Sequence, residues 1–171
     1  MRPKRTPFRD LVRSSALWAR LILLTVIAGM PTAAMAVSCT GATGTLAFGT
    51  YDTRASLPND SSSGYVEMRC TCSGLDCIAF GYNIEIQSGG SGDAANRKMK
   101  RTGGTETLRY ELYRDATHLL PWGEGSSALG GLYLLGQFGS WQRVYVNGRI
   151  PAGQAVRSGA YTDTPGVVIN F

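Results

Sequence analysis

From residue 37 onward, apolar and polar residues alternate in short runs, and no segment of helical period is longer than two turns. The runs are rich in β-branched and aromatic residues and are separated by Gly, Ser, Asn and Pro, which is the pattern of strands punctuated by turns. It predicts strands over 44–48, 64–72, 78–87, 108–114, 142–147 and 164–171, with weaker ones near 98–102 and 132–137. Alternation assigns the faces: Val66, Met68 and Cys70 share one, as do Ile78, Phe80, Tyr82, Ile84 and Ile86 apart from a shift at Gly81, and Tyr110 and Leu112. In the closing stretch YTDTPGVVINF, Val167, Ile169 and Phe171 fall on one side of a strand and Val168 and Asn170 on the other. Phe171 is therefore expected in the core. That last strand must pair with strands that precede it or with a strand from another molecule. Strands at this spacing, with 22 glycines as punctuation, predict an all-β antiparallel sandwich or barrel in one domain.

The first 36 residues distort the bulk charge. Met1 to Arg20 holds six basic residues and one acid, and is followed by the apolar run Leu21 to Ile27 and then GMPTAAMA. Basic, apolar and small residues in that order predict a signal peptide over 1–36, with Ala34 and Ala36 at the A-x-A positions. The apolar run is shorter than the roughly 20 residues that span a bilayer, so contact with a membrane is expected only during export. Taking those six basic residues and one acid from the totals of 17 and 12 leaves 11 of each in residues 37–171. A neutral domain lacks the basic footprint of a nucleic-acid binder. The local cluster Arg97, Lys98, Lys100 and Arg101 lies between GGSGDAAN and TGG and reads as a solvated loop.

All four cysteines, Cys39, Cys70, Cys72 and Cys77, fall after the leader, and an even count in an exported domain reads as disulfides. Three connectivities are possible. The favoured one joins Cys39 to Cys70, clamping the first strand to a later one, and Cys72 to Cys77, closing a small loop. The spacing lacks the paired C-x2-C of structural zinc sites. Catalytic signals are few: His118 stands without a nucleophile motif and reads as a surface residue, and the carboxylate pairs Glu106 with Glu111 and Glu85 with Glu67 cannot be placed. No Gly-rich phosphate loop opens a helix. A non-enzymatic protein without cofactor or metal is expected.

Five segments in order complete the picture: Cys39 followed by GTLAFGTYD, then GYVEMRCT, LRYELYRDATHLLPWGEG, VYVNGRIPAGQ and SGAYTDTPGVVINF. Together they resemble the spore coat protein U domain family, which includes subunits of archaic, Csu-type chaperone-usher pili and related coat proteins. The resemblance covers residues 37–171 nearly end to end. It implies an immunoglobulin-like sandwich lacking its last strand, so that the strand ending at Phe171 borders an open groove. It also implies three partners: a periplasmic chaperone that fills the groove, an outer-membrane usher, and a neighbouring subunit that donates a strand. Val167, Ile169 and Phe171 would line the groove or meet the chaperone strand. Export through the periplasm to a pilus or coat at the cell surface follows, with roles in adhesion or biofilm.

Three departures from the family pattern refine that expectation. Only Val37 and Ser38 separate the predicted cleavage site from Cys39, so no donor strand of about five to ten residues precedes it, and a tip or minor subunit is expected. Pro165 has no N–H for a ladder, which shortens regular pairing to about Gly166 onward. The run ALGGLYLLGQFG carries Leu129, Leu132, Tyr133, Leu134, Leu135 and Phe138. It reads either as a buried strand, which a continuous apolar run favours, or as an exposed adhesive loop. Trp122 and Trp141 are expected in the core. A competing reading is a self-complete secreted sandwich that binds carbohydrate or another surface ligand.

Overall fold

The computed structural model describes residues 36–73 and 77–171, and the expected signal peptide over 1–36 falls outside them except for Ala36. The alternating runs form ten strands: β1 (Ala36–Gly44), β2 (Asn59–Ser73), β3 (Ala79–Ile86), β4 (Lys98–Arg101), β5 (Thr107–Arg109), β6 (Glu111–Tyr113), β7 (Leu129–Leu134), β8 (Gln142–Ile150), β9 (Tyr161–Thr162) and β10 (Val167–Asn170). They make three sheets, in the orders β1-β2-β8-β6, β10-β3-β7 and β5-β4-β9, and every pairing is antiparallel. Single 310 turns are the only helical structure among the described residues.

The inward faces of these strands meet in one core. Val66, Ile84, Ile86, Leu108, Leu112, Trp122, Val146 and Ile150 pack in its larger part. Met68, Cys70 and Tyr133 form a smaller part, with Phe80, Phe138 and Ile169 against it. Fully burying a side chain of this size contributes about 1.5–3 kcal/mol, so the alternation in β2, β3 and β8 is what fixes their register.

Three expectations shift for physical reasons. The strand expected over 44–48 lies earlier, as β1, because Ala36–Gly44 ladders along β2 with Cys39 directly opposite Cys70. Leu46 and Phe48 instead fold over Gly148, where a β-carbon would collide with both. The strand expected over 108–114 is interrupted at Tyr110, whose N–H donates to the Arg97 carbonyl at 3.1 Å. At that point the chain leaves β4 as a partner and joins β8. The last strand is shortened to Val167–Asn170. Gly166 still accepts a bond from the Gln87 N–H at 2.8 Å, so pairing begins where Pro165 permits it.

Trp122 closes one side of the sandwich. Its backbone N–H donates to Leu112 of β6 at 2.8 Å and its indole Nε1–H to Ile84 of β3 at 2.9 Å, which ties the first sheet to the second. Trp141 corrects the expectation of burial: it is half exposed. It sits just before β8, whose first four residues are themselves half-buried or exposed.

Candidate functional site

The side opposite Trp122 is built differently. Among the described residues, β1 pairs only with β2 and β10 only with β3, so both present a free edge. The two edges approach each other at one point, where Ile169 Cδ1 lies 3.0 Å from the position a β-carbon on Gly41 would take. A side chain at Gly41 would crowd Ile169, whose Cδ1 would have to give by a few tenths of an ångström.

Away from that contact the edges diverge and the core opens. A groove of about 450 Å³ has Thr43, Gly44 and Thr45 on one lip and the 161–165 segment on the other. Its floor includes Val66, Ile86, Leu112 and Val146. It shares Leu46, Phe48, Met99 and Tyr161 with a second opening of about 830 Å³ that also reaches Leu108 and Ile150. These side chains belong to the main core cluster, so the seam is a gap in the core itself.

A polar frame holds the groove's far lip. Asp163 accepts from the Gly90 and Thr164 N–H groups, each at 2.9 Å, and from the Tyr110 hydroxyl at 2.7 Å. Burial first, and then that bond, hold the Tyr110 phenol above its ordinary range. Behind the frame sits Arg97, fully buried, donating to the carbonyls of Ile86 at 2.5 Å, Ala94 at 2.8 Å and Gln87 at 3.2 Å. Burial lowers its hold on the proton, against the opposing pull of Tyr110 and nearby carboxylates. The solvated loop expected for residues 97–101 is thus corrected. The weaker strand expected near 98–102 is found instead, as β4 over Lys98–Arg101, and Arg97 just before it is a core residue. Period-2 parity with buried Met99 was the signal that could have found it.

The expected groove residues separate into two kinds. Val167 and Ile169 are half-buried and pack on the core clusters. Phe171 corrects the expectation of a core residue: it follows the end of β10, is 58% exposed, and among the described residues its one aromatic neighbour is Phe80, at 6.1 Å between ring centroids. The four cysteines form the disulfides Cys39–Cys70 and Cys72–Cys77.

The apolar run over 128–139 meets neither expectation whole. It forms edge strand β7, in which Tyr133 is fully buried while Leu132 and Leu134 point outward, followed by exposed Leu135. Leu129 and Phe138 are half-buried against the core. The Tyr133 hydroxyl accepts from the Cys70 N–H at 3.1 Å, which anchors the strand from inside. Ile78, expected on the inward face of β3, is also exposed.

The candidate catalytic groups are occupied elsewhere. Glu67 and Glu85 lie on the outward faces of different sheets. Glu67 pairs with Arg143, Glu106 with Arg101 and Arg157, and Glu111 faces Arg109 at 3.6 Å. His118, expected at the surface, is largely covered. It has a positive φ of 59°, and its Nδ1 accepts from Arg149 at 3.1 Å beside Asp60.

A sandwich with one strapped side and one open seam can now be set beside known proteins. The solved chaperone–tip adhesion subunit pre-assembly complex of the archaic chaperone-usher Csu pili of Acinetobacter baumannii contains a similar fold, with a TM-score of 0.54 at 19% identity over 80% of this chain. The match spans 40% of the solved chain, and at that identity the likeness concerns the fold alone. Protein U of Myxococcus xanthus is 36% identical over 132 residues, covering 75% of this chain and 72% of that protein. Residues 25–168 match the Spore Coat Protein U domain, and with more than half of the sequence so matched, the chain belongs to the Spore Coat Protein U domain family.

Proposed function

We propose that this chain is a structural, non-enzymatic subunit of a chaperone-usher pilus or surface coat that assembles by accepting a β-strand from a partner. The observation that carries this reading is the seam: β1 and β10 each leave an edge free and approach at Gly41 and Ile169, and beside that contact a groove whose lining includes Gly44 of β1 and Val167 of β10 reaches core side chains. Unpaired edge N–H and C=O groups beside apolar surface favour strand addition and leave an unfilled domain liable to aggregate. A periplasmic chaperone fills the seam first, and at the outer-membrane usher a neighbouring subunit's strand replaces it. Val167 and Ile169 contact the incoming strand, and Phe171 meets it at the mouth. The domain division follows from this reading: residues 1–36 direct export and 37–171 form the subunit, which passes through the periplasm to the cell surface. The outward Leu132, Leu134 and Leu135 on β7 supply an adhesive face suited to a tip or minor subunit.

The full chain, expressed in an oxidising periplasm with and without its cognate chaperone, tests this. Intact mass spectrometry is expected to find a start at Val37 and recovery as a one-to-one chaperone complex. A stable chaperone-free monomer would sink the proposal in favour of a self-complete sandwich that binds a surface ligand such as a carbohydrate.

A further inference from the structure

The run Arg97, Lys98, Met99, Lys100, Arg101 acquires a meaning in the fold that its spacing alone did not give. Because β4 alternates, buried Met99 points into the core and Lys98 and Lys100 point out. Strand β5 then sets exposed Arg109 directly opposite Lys98 and exposed Thr107 opposite Lys100. On the other side, β9 places exposed Thr162 beside Lys100. Residues two apart on a strand lie roughly 6.6 Å apart, and directly opposed β-carbons about 5 Å. Three cations therefore share one small flat face.

The cations of that face are less neutralised than the ion-paired arginines elsewhere, although among the described residues Arg54 and Arg69 also lack a carboxylate partner. Arg101, Arg143, Arg149 and Arg157 each have a carboxylate partner within 3.3 Å. Lys98 and Lys100 make no ion pair or side-chain hydrogen bond among the described residues, and Arg109 reaches only the mostly covered Glu111, at 3.6 Å. Like charges directly opposite each other on neighbouring strands work against the sheet. An anionic ligand would relieve that repulsion.

We propose that the outer face of the β5-β4-β9 sheet binds an anionic polysaccharide carrying sulfate, phosphate or carboxylate groups spaced about 5–7 Å apart, matching the cation spacing. The neighbouring side chains decide between polyanions. Thr107 and Thr162 offer hydroxyls to sugar hydroxyls, whereas a single-stranded nucleic acid wants aromatic platforms and a lipid surface wants apolar side chains, and this face presents neither. The inference does not depend on the seam, because Met99 and Leu108 face the second opening and the core while the cations face away from them.

The test measures binding of the oxidised full chain, with its chaperone if it is recovered that way, to dextran sulfate and to uncharged dextran over a salt series. Wild type is expected to bind dextran sulfate only. Lys98→Gln/Lys100→Gln/Arg109→Gln is expected to weaken that binding at least about tenfold and to lower the salt slope by about two to three. Arg54→Gln/Arg69→Gln, which removes two exposed arginines elsewhere, is expected to leave both unchanged. Lys98→Gln/Lys100→Gln keeps the Arg109–Glu111 contact and carries the test if the triple variant fails to fold, with a slope change of about two. Its melting temperature is expected to match or exceed wild type, since the opposed charges are gone. Binding to neither polymer, equal binding to both, retained affinity in the lysine variant, or an equal loss in the arginine control would each overturn the proposal, the last by reducing the effect to net charge.

Discussion

Single residues in this protein matter by what they leave unpaired when removed. Arg97 gathers three carbonyls at the end of β3 and the loop before β4, directly behind the groove frame. Its planar fork is what meets all three, and neither Lys nor an apolar side chain can do so. Arg97→Leu is expected to destabilise the domain by about 3 kcal/mol, because several buried acceptors lose their donor at once. Urea unfolding with disulfides intact measures this, and a loss below about 0.5 kcal/mol would mean that the carbonyls find other donors. Asp115 gives a pH-dependent counterpart. Its carboxylate accepts from the Thr117 hydroxyl and from the N–H groups of Leu119 at 3.1 Å and Leu120 at 2.8 Å. Those bonds, the Thr117 one foremost, hold its carboxyl down to about 2. With the folded value below the unfolded one, the loop's added stability is present above the unfolded carboxylate range, near 3.9, and is lost as pH falls toward 2. The protection factors of the Leu119 and Leu120 amides, measured against intrinsic exchange at each pH, are expected to fall across that window and to be low throughout in Asp115→Ala, which removes the acceptor.

At the level of elements, what holds β1 in place also explains why the sequence did not reveal it. Its residues AVSCTGATG are small and show no apolar alternation, so nothing local announces a strand. It is fixed from outside, by the ladder to β2 and the Cys39–Cys70 bond. Leu46 and Phe48 show the converse, a strand-like pattern that glycine contacts pull out of any ladder. By contrast β2, β3 and β8 were legible, since long alternation with one face buried leaves only one register. The candidate site was half legible. Val167 and Ile169 follow from alternation, but the break at Tyr110, the burial of Arg97 and the outward Leu132 depend on which strands become neighbours. A graded loss on removing the two disulfides follows from their loops. Cys39→Ala/Cys70→Ala opens a loop with a sequence separation of 31 and is expected to cost about 3–4 kcal/mol. Cys72→Ala/Cys77→Ala opens one with a separation of 5 and is expected to cost about 2 kcal/mol. Urea midpoints of the two variants check the order, and a larger loss for the short loop would show that strain or denatured-state structure outweighs chain entropy.

For the whole molecule, the asymmetry between its two sides decides how it behaves with a partner. On the Trp122 side both sheets share hydrogen bonds through one segment, so separating them breaks several bonds together. On the β1 and β10 side they touch at Gly41 and Ile169, and core residues line the opening. Local stability should therefore fall from the strapped side to the seam, because few buried contacts and solvent-facing backbone make a segment exchange readily. In the strand-accepting reading, hydrogen exchange on the partner-free chain is expected to be fast in β1 and β10 and slow in β2 and β8. A peptide of alternating apolar residues added at one hundred times its dissociation constant should raise stability by about 2.7 kcal/mol and slow exchange at both edges. Ile169→Asp puts a charge where that strand would pack, and should abolish the peptide effect while leaving β2 and β8 protected. If β10 is already as protected as β8 without a partner, the sandwich is closed on both sides and the peptide has nowhere to add. If β10 is open but the peptide protects neither edge, the seam is real and its occupant is something other than a strand.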